Sequence, residues 1–364
     1  MEKERLMKSL IRFTALVTLA AVGEAQEKKS SAPSTPMGRL AAEMKPGTWA
    51  ELKTQGIVET LKATGVSGAI FGYSEGGAWD PVSRRFLYVG GDHNGVAQFV
   101  SYSADDNTWR VLPQPAWIGK STMHGYDHNA VDPVHRVFYH FPFGDKTRIA
   151  HRYDLAKNEW SDLPKLDPQE YLACAVGVAY FPELEALVVA NGGGGKGSVH
   201  AFRPKTGQWT TLAHDLPMGD YHNFAEYNPV RKVIVFGGGN GSPFLYKLDA
   251  AGTVTPLGKA PIGLGVMQSI VTVDPVGGDY LVFGKGGEFY SFDVAANRWK
   301  ENKGTVPIFA PVRVPDNKIW HTNAAPVDTY GVTMFVKYYS AEPNSQAWVY
   351  LYKHSAAASK KTGE

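Results

Sequence analysis

Residues 78–109 read AWDPVSRRFLYVGGDHNGVAQFVSYSADDNTW. Trp79-Asp80-Pro81 is an X-Pro turn, because proline fixes its own φ and keeps the residue before it extended. Phe86 to Val89 then form an apolar, aromatic and β-branched run, the composition of a buried strand. Gly90-Gly91 closes that strand, since glycine admits the positive φ that a sharp turn needs. Tyr102 and Trp109 stand seven positions apart around Asp105-Asp106-Asn107, which reads as a hairpin with a polar turn and a second strand opening at the Trp.

The same spacing recurs along the chain. Tyr153 precedes Trp160, Phe202 precedes Trp209, and Phe292 precedes Trp299, each by seven residues. A fifth copy, Tyr246 to Val254, keeps the turn Asp249-Ala-Ala-Gly252 and lacks the Trp. The X-Pro turn recurs at Val131-Asp132-Pro133, Tyr180-Phe181-Pro182, Tyr227-Asn228-Pro229 and Val273-Asp274-Pro275. Taking Asp80, Asp132, Phe181, Asn228 and Asp274 as markers, the intervals are 52, 49, 47 and 46 residues. A sixth unit has its turn at Pro326 to Asp328 and its strand at Val332 to Val336. One unit is therefore an inner strand, a Pro turn, a second strand, glycines, a third strand, a turn and a Trp strand. Four-stranded antiparallel units repeated at this period are the blades of a β-propeller. The expected fold is all-β, with six blades. The last unit runs out at Gln346 to Lys353, and Trp49, in Gly47 to Leu52, is a Trp strand with no unit of its own. Pairing the two would complete the sixth blade and close the ring without an exposed edge.

The rest of the composition agrees with an exported propeller. Lys3, Arg5 and Lys8 precede the apolar run Leu10 to Val22, and Gly23 and Ala25 offer small residues for cleavage, so 1–25 reads as a signal peptide. The run is short for a membrane span, and no integral segment is expected after cleavage. Residues 26–44 read as a disordered linker, 45–354 as a single propeller domain, and 355–364 as a polar tail. The localisation that follows is secreted or periplasmic. Cys174 is the one cysteine, so no intrachain disulfide forms and packing alone holds the fold. With 37 Lys+Arg against 35 Asp+Glu there is no electrostatic case for a nucleic-acid partner. A monomer is expected.

On its glycine pairs, aromatics and Trp strands, roughly Thr48 to Lys353 resembles the kelch-repeat propellers, and more loosely the kelch part of galactose-oxidase-like proteins. Kelch-like propellers serve as protein-binding modules, carbohydrate-active enzymes and oxidases, so the resemblance implies a fold and leaves function to the site. Alignment on the Pro turn puts three His near Asn on inner strands: His128-Asn129 in blade two, His222-Asn223 in blade four and His321 with Asn323 in blade six. Alternate blades lie about 120° apart, so one channel mouth would collect these imidazoles. His124, Tyr126, Tyr221 and Gln268 accompany them, and His93 follows the first glycine pair.

Imidazoles on one concave site can act as acid and base, or can bind a divalent metal through His128, His222 and His321. The Asn, Tyr and Gln beside them suit a hydroxyl-rich ligand. The alternative is that these groups fill a wet channel and bond to each other and to water. The reading is thus an exported propeller whose mouth binds a carbohydrate or similar polar ligand. If it also acts on that ligand, by lyase- or isomerase-like chemistry, His128, His222 and Tyr221 are the acid/base candidates. A non-enzymatic module for a protein partner is the alternative. A third reading is a galactose-oxidase-like copper enzyme, which the resemblance would cast from Tyr221-His222, His321, Cys174 and either Tyr126 or Tyr171. The chain departs from that family in having six units rather than seven and no flanking domains.

Overall fold

The computed structural model describes residues 34–62, 70–91, 97–118, 124–142, 149–166, 175–308, 321–339 and 344–355. The expected signal peptide and the polar tail from 356 onward lie outside them, as do His93, Tyr171 and Cys174.

Four of the X-Pro turns are built by the residue before the proline. The Asp80 carboxylate accepts from the backbone N–H of Val82 and Ser83, Asp132 from Val134 and His135, Asn228 from Val230 and Arg231, and Asp274 from Val276 and Gly277. The side chain thus satisfies the donors that the turn leaves unpaired. Four residues after each marker the chain turns left-handed, at Arg84, Arg136, Glu185, Lys232 and Gly278. The Trp hairpins are equally regular. Tyr102 faces Trp109, Tyr153 faces Trp160, Phe202 faces Trp209 and Phe292 faces Trp299 as direct cross-strand partners. The seven-residue spacing is therefore the register of a hairpin, with the aromatic pair contributing about 0.5–1.5 kcal/mol beyond the area it buries.

Repeating this unit gives a six-bladed β-propeller. Blade one is Ala78–Asp80, Arg85–Gly90, Gln98–Ser103 and Thr108–Val111, hydrogen-bonded in sequence order. Blades two to five repeat that order from the inner strands Asn129–Asp132, Gly177–Phe181, Asn223–Asn228 and Ser269–Val273. The sixth sheet has five strands. Its inner strand His321–Val327 pairs with Val332–Tyr339 on one side and, in parallel, with Ser74–Gly76 on the other. On its outside, Thr48–Glu51 runs antiparallel to Gln346–Lys353, with Trp49 opposite Tyr352.

The Trp residues pack between blades. Trp49 lies 5.0 Å from Phe335 in its own blade and 5.7 Å from Phe283 in blade five, and Trp160 of blade two lies 5.0 Å from Phe99 of blade one. Residues 36–43, inside the stretch expected as linker, form a helix instead. Thr35 caps it by accepting from Gly38 N–H, proline stands in its first turn, and Met37 and Ala41 are buried in the core of blades one and six. Among the described residues no helix is long and apolar enough to cross a membrane.

Candidate ligand site at the channel mouth

The chain reaches each inner strand through a backbone collar. Tyr126 N–H donates to Tyr73 C=O, Glu75 N–H to Tyr126 C=O, Asn223 N–H to Ala175 C=O and Val178 N–H to Asp127 C=O. Three side chains on this collar stand on left-handed backbone: Tyr73 at φ 52°, Tyr126 at φ 33° and His222 at φ 66°. Bulky residues rarely adopt that conformation, and each costs about 1 kcal/mol or more. The collar leaves no slack for relief. At Gly265, φ 119°, a Cβ would lie 2.6 Å from His222 C=O.

These strained residues converge. The Tyr73 and His222 rings lie 6.3 Å apart and nearly parallel at 16°, and Tyr126 lies 5.3 Å from His222. Tyr221 adds an exposed ring 6.4 Å from His222. Asn240, exposed and also left-handed at φ 48°, bonds through Oδ1 to His222 Nδ1 at 2.9 Å. An amide oxygen only accepts, so Nδ1 carries the proton and Nε2 presents a lone pair. Burial lowers the His222 pKa, opposed by the Asn240 bond, so the ring is neutral at pH 7. Gln268 is half-buried beside the Asn240-Gly241 turn.

Behind this rim lies a second tier. His124 bonds through Nδ1 to Gly91 C=O at 3.0 Å and packs 4.7 Å from Tyr73. His128 is fully buried, 5.3 Å from Tyr126 and 6.0 Å from His140, and neither ring nitrogen has a hydrogen-bond partner. Burial, with repulsion from His124, pushes its pKa down to about 3. The three Asn serve the scaffold. Asn129 bonds the backbone of Val89, Asn223 joins Gly192 N–H to the carbonyls of Gly219 and Gly238, and Asn323 donates to Ser74 Oγ.

Nothing matches this chain among family models or curated proteins. Its likenesses are to solved structures. A structural-genomics protein of unknown function from Bacteroides thetaiotaomicron aligns at TM-score 0.55 and 16% identity, over 83% of this chain and 75% of that one. TolB from Acinetobacter baumannii aligns at TM-score 0.44 and 14% identity, over 63% and 54%, and a chain of the nidogen/laminin complex at 0.46 and 12%, over 62% and 77%. The first of these shares the propeller fold, and at such identity the likeness is one of fold alone.

The mouth therefore brings together Tyr126, Tyr221, His222, His124 and, one layer deeper, His128. It places Asn129, Asn223 and Asn323 in backbone struts. His321 begins the inner strand of blade six opposite Ser74, and its side chain lies outside the described residues. Among the described residues no three His, Cys, Asp or Glu are grouped to hold a metal ion. Tyr73, which alignment of the inner strands puts on blade one's side of the channel, and Asn240, which sequence reasoning did not place in the site, complete the rim. The rim's signal is positional: Tyr126 and His222 each stand six residues before the turn markers Asp132 and Asn228, and Tyr73 stands seven before Asp80.

Proposed function

We propose that this protein is an exported, kelch-like propeller whose channel mouth binds a neutral, hydroxyl-rich ligand of the carbohydrate class. The observation that carries this reading is the convergence of Tyr73, Tyr126 and His222, all on strained left-handed backbone, onto one small patch. Strain of this kind persists where a site needs side chains aimed in a direction that relaxed backbone does not offer. The chemistry of the patch suits sugars. Tyr73 and exposed Tyr221 offer aromatic faces to C–H surfaces, while His222 Nε2, the free capacity of Asn240 and Gln268 offer hydrogen bonds. A neutral imidazole favours a neutral ligand. If turnover occurs, His222 is the group able to take a proton from a hydroxyl, because its Nδ1–H is held by Asn240.

A glycan screen on the chain from Ser34 onward tests the reading, followed by calorimetry on His222→Ala and Tyr221→Ala. Binding to a neutral glycan in the parent, lost in His222→Ala without a lowered thermal midpoint, is the expected outcome. A parent that binds no glycan, or variants that bind as well as the parent, would sink the carbohydrate reading and favour a protein partner instead.

A further inference from the structure

At the opposite end of the channel the inner strands run into their Pro turns. The turn prolines of five blades surround a cavity of about 150 Å³, the size that admits a benzene-sized guest. Trp79, Tyr180 and Tyr227 are among its walls, and Asp127 and Glu226 line it at depth. Outside it, the valines that follow three of the prolines, Val82, Val134 and Val230, are exposed.

The carboxyl groups are the unusual part. Glu226 is 8% exposed and Asp127 2%. Asp127 Oδ2 accepts from Ala225 N–H at 2.7 Å. Glu226 has no hydrogen-bond partner for its carboxyl and no Lys, Arg or His beside it among the described residues. Glu75, fully buried further along the axis, accepts from Val271 N–H with Oε1, and its Oε2 is unpartnered. Three carboxyl groups thus share the axis, and among the described residues no cation balances them. Buried acids of this kind are normally paired.

We infer that this cavity is a second binding site, for an alkylammonium group whose charge meets Glu226 and Asp127 while its apolar part fills the space among Trp79, Tyr180 and Tyr227. Aromatic walls over a carboxylate floor are the arrangement that recognises organic cations, through cation–π attraction and a charge-assisted hydrogen bond. A hydrated metal ion suits the site less, because its walls are apolar and no third oxygen ligand set is grouped there.

Burial, with repulsion from Asp127 and then Glu75, holds the Glu226 carboxyl well above the usual carboxylate range, and burial does the same to Asp127. The other titratable groups facing Glu226 are Glu75, Tyr280 behind it, and Asp328, Tyr180 and Tyr227 at the cavity wall; none is a cation. In the empty site Glu226 therefore keeps its proton to a higher pH than a free carboxyl does, and wherever it still holds that proton a bound ammonium must displace it to solvent.

Calorimetry with butylammonium chloride, using 1-butanol as the uncharged isostere, tests this on the chain from Ser34 onward. Butylammonium should bind where butanol does not, with release of one proton. Affinity should then rise up to about tenfold per pH unit while the free carboxyl remains protonated. Glu226→Gln, which keeps shape and removes the charge, should abolish the binding and its pH dependence. Absence of butylammonium binding, equal binding of butanol, or undiminished binding by Glu226→Gln would overturn the inference, and the first two outcomes need no variant to fold.

Discussion

Replacing His128 by Phe should make the protein more resistant to acid, by an amount its burial sets. The imidazole is fully enclosed among Tyr126, His140 and Phe141, and neither nitrogen is bonded. Its folded pKa is about 3, while the unfolded chain titrates near the ordinary imidazole value of 6.5. Below pH 6.5 the unfolded state binds a proton that the native state refuses, so stability rises with pH and falls as acid is added, down to about pH 3. Each unit of that window is worth about 1.4 kcal/mol, so the step from pH 6.5 to 5.0 costs about 2 kcal/mol through this one ring. Phe has no proton to bind and fits a site already lined by aromatic rings. It also removes two unsatisfied polar atoms, which should add about 1–3 kcal/mol at pH 7.5. Urea unfolding followed by Trp fluorescence at pH 7.5 and 5.0 gives both quantities. The variant should lose about 2 kcal/mol less than the parent between the two pH values. His140, whose pKa is lowered first by its own burial, titrates in both proteins and largely cancels from the difference. Equal acid losses in parent and variant would show that the ring is solvated or partnered, and would refute the reasoning.

Asn223→Ala should destabilise by about 2–4 kcal/mol, because it strips partners from Gly192 N–H and the carbonyls of Gly219 and Gly238; a thermal midpoint near that of the parent would deny Asn223 its role as a strut. Gly177→Ala should cost about 3 kcal/mol, at the upper end for overpacking, since its Cβ would lie 2.2 Å from Phe224 C and 2.5 Å from Ala225 N, atoms that cannot move aside alone. An unchanged urea midpoint would mean that the inner strands of blades three and four stand further apart.

The fold was legible because its marks are local. An Asp or Asn before proline and an aromatic seven residues before Trp each encode a turn whose chemistry is complete within a few residues, and repetition made them visible. The site was harder because it depends on register. His128 and His222 stand four and six residues before their turn markers, an offset that alignment on the Pro turn already shows. The residue equivalent to His222 is Tyr126, and both are left-handed. The equivalent of His128 in blade four is Phe224, a fully buried core residue, which is why His128 lies behind the rim. Glu226 had a signal that alignment of the repeats exposes: two residues before their markers, blades one, two and three carry Ala78, Ala130 and Ala179. A carboxyl where neighbours have a methyl group marks a cavity wall, but only once the position is known to face the axis.

The axis itself explains how one small channel holds two unlike surfaces. Glu75 and Asp127 each spend an oxygen on an inner-strand N–H of a different blade, Val271 and Ala225. Those donors belong to strands that face the axis, where no further strand can pair with them, so a carboxyl oxygen is the available acceptor. The same bonds lie between the rim of Tyr73, Tyr221, His222 and Asn240 and the cavity that Glu226 lines. Asp127 touches both, since Tyr126 of the rim precedes it and its own carboxyl lines the cavity. Moving Asp127 would unpair Ala225 N–H and break the collar at Val178, at about 1–3 kcal/mol for each group left unsatisfied. That cost holds Asp127 in place between the two ends.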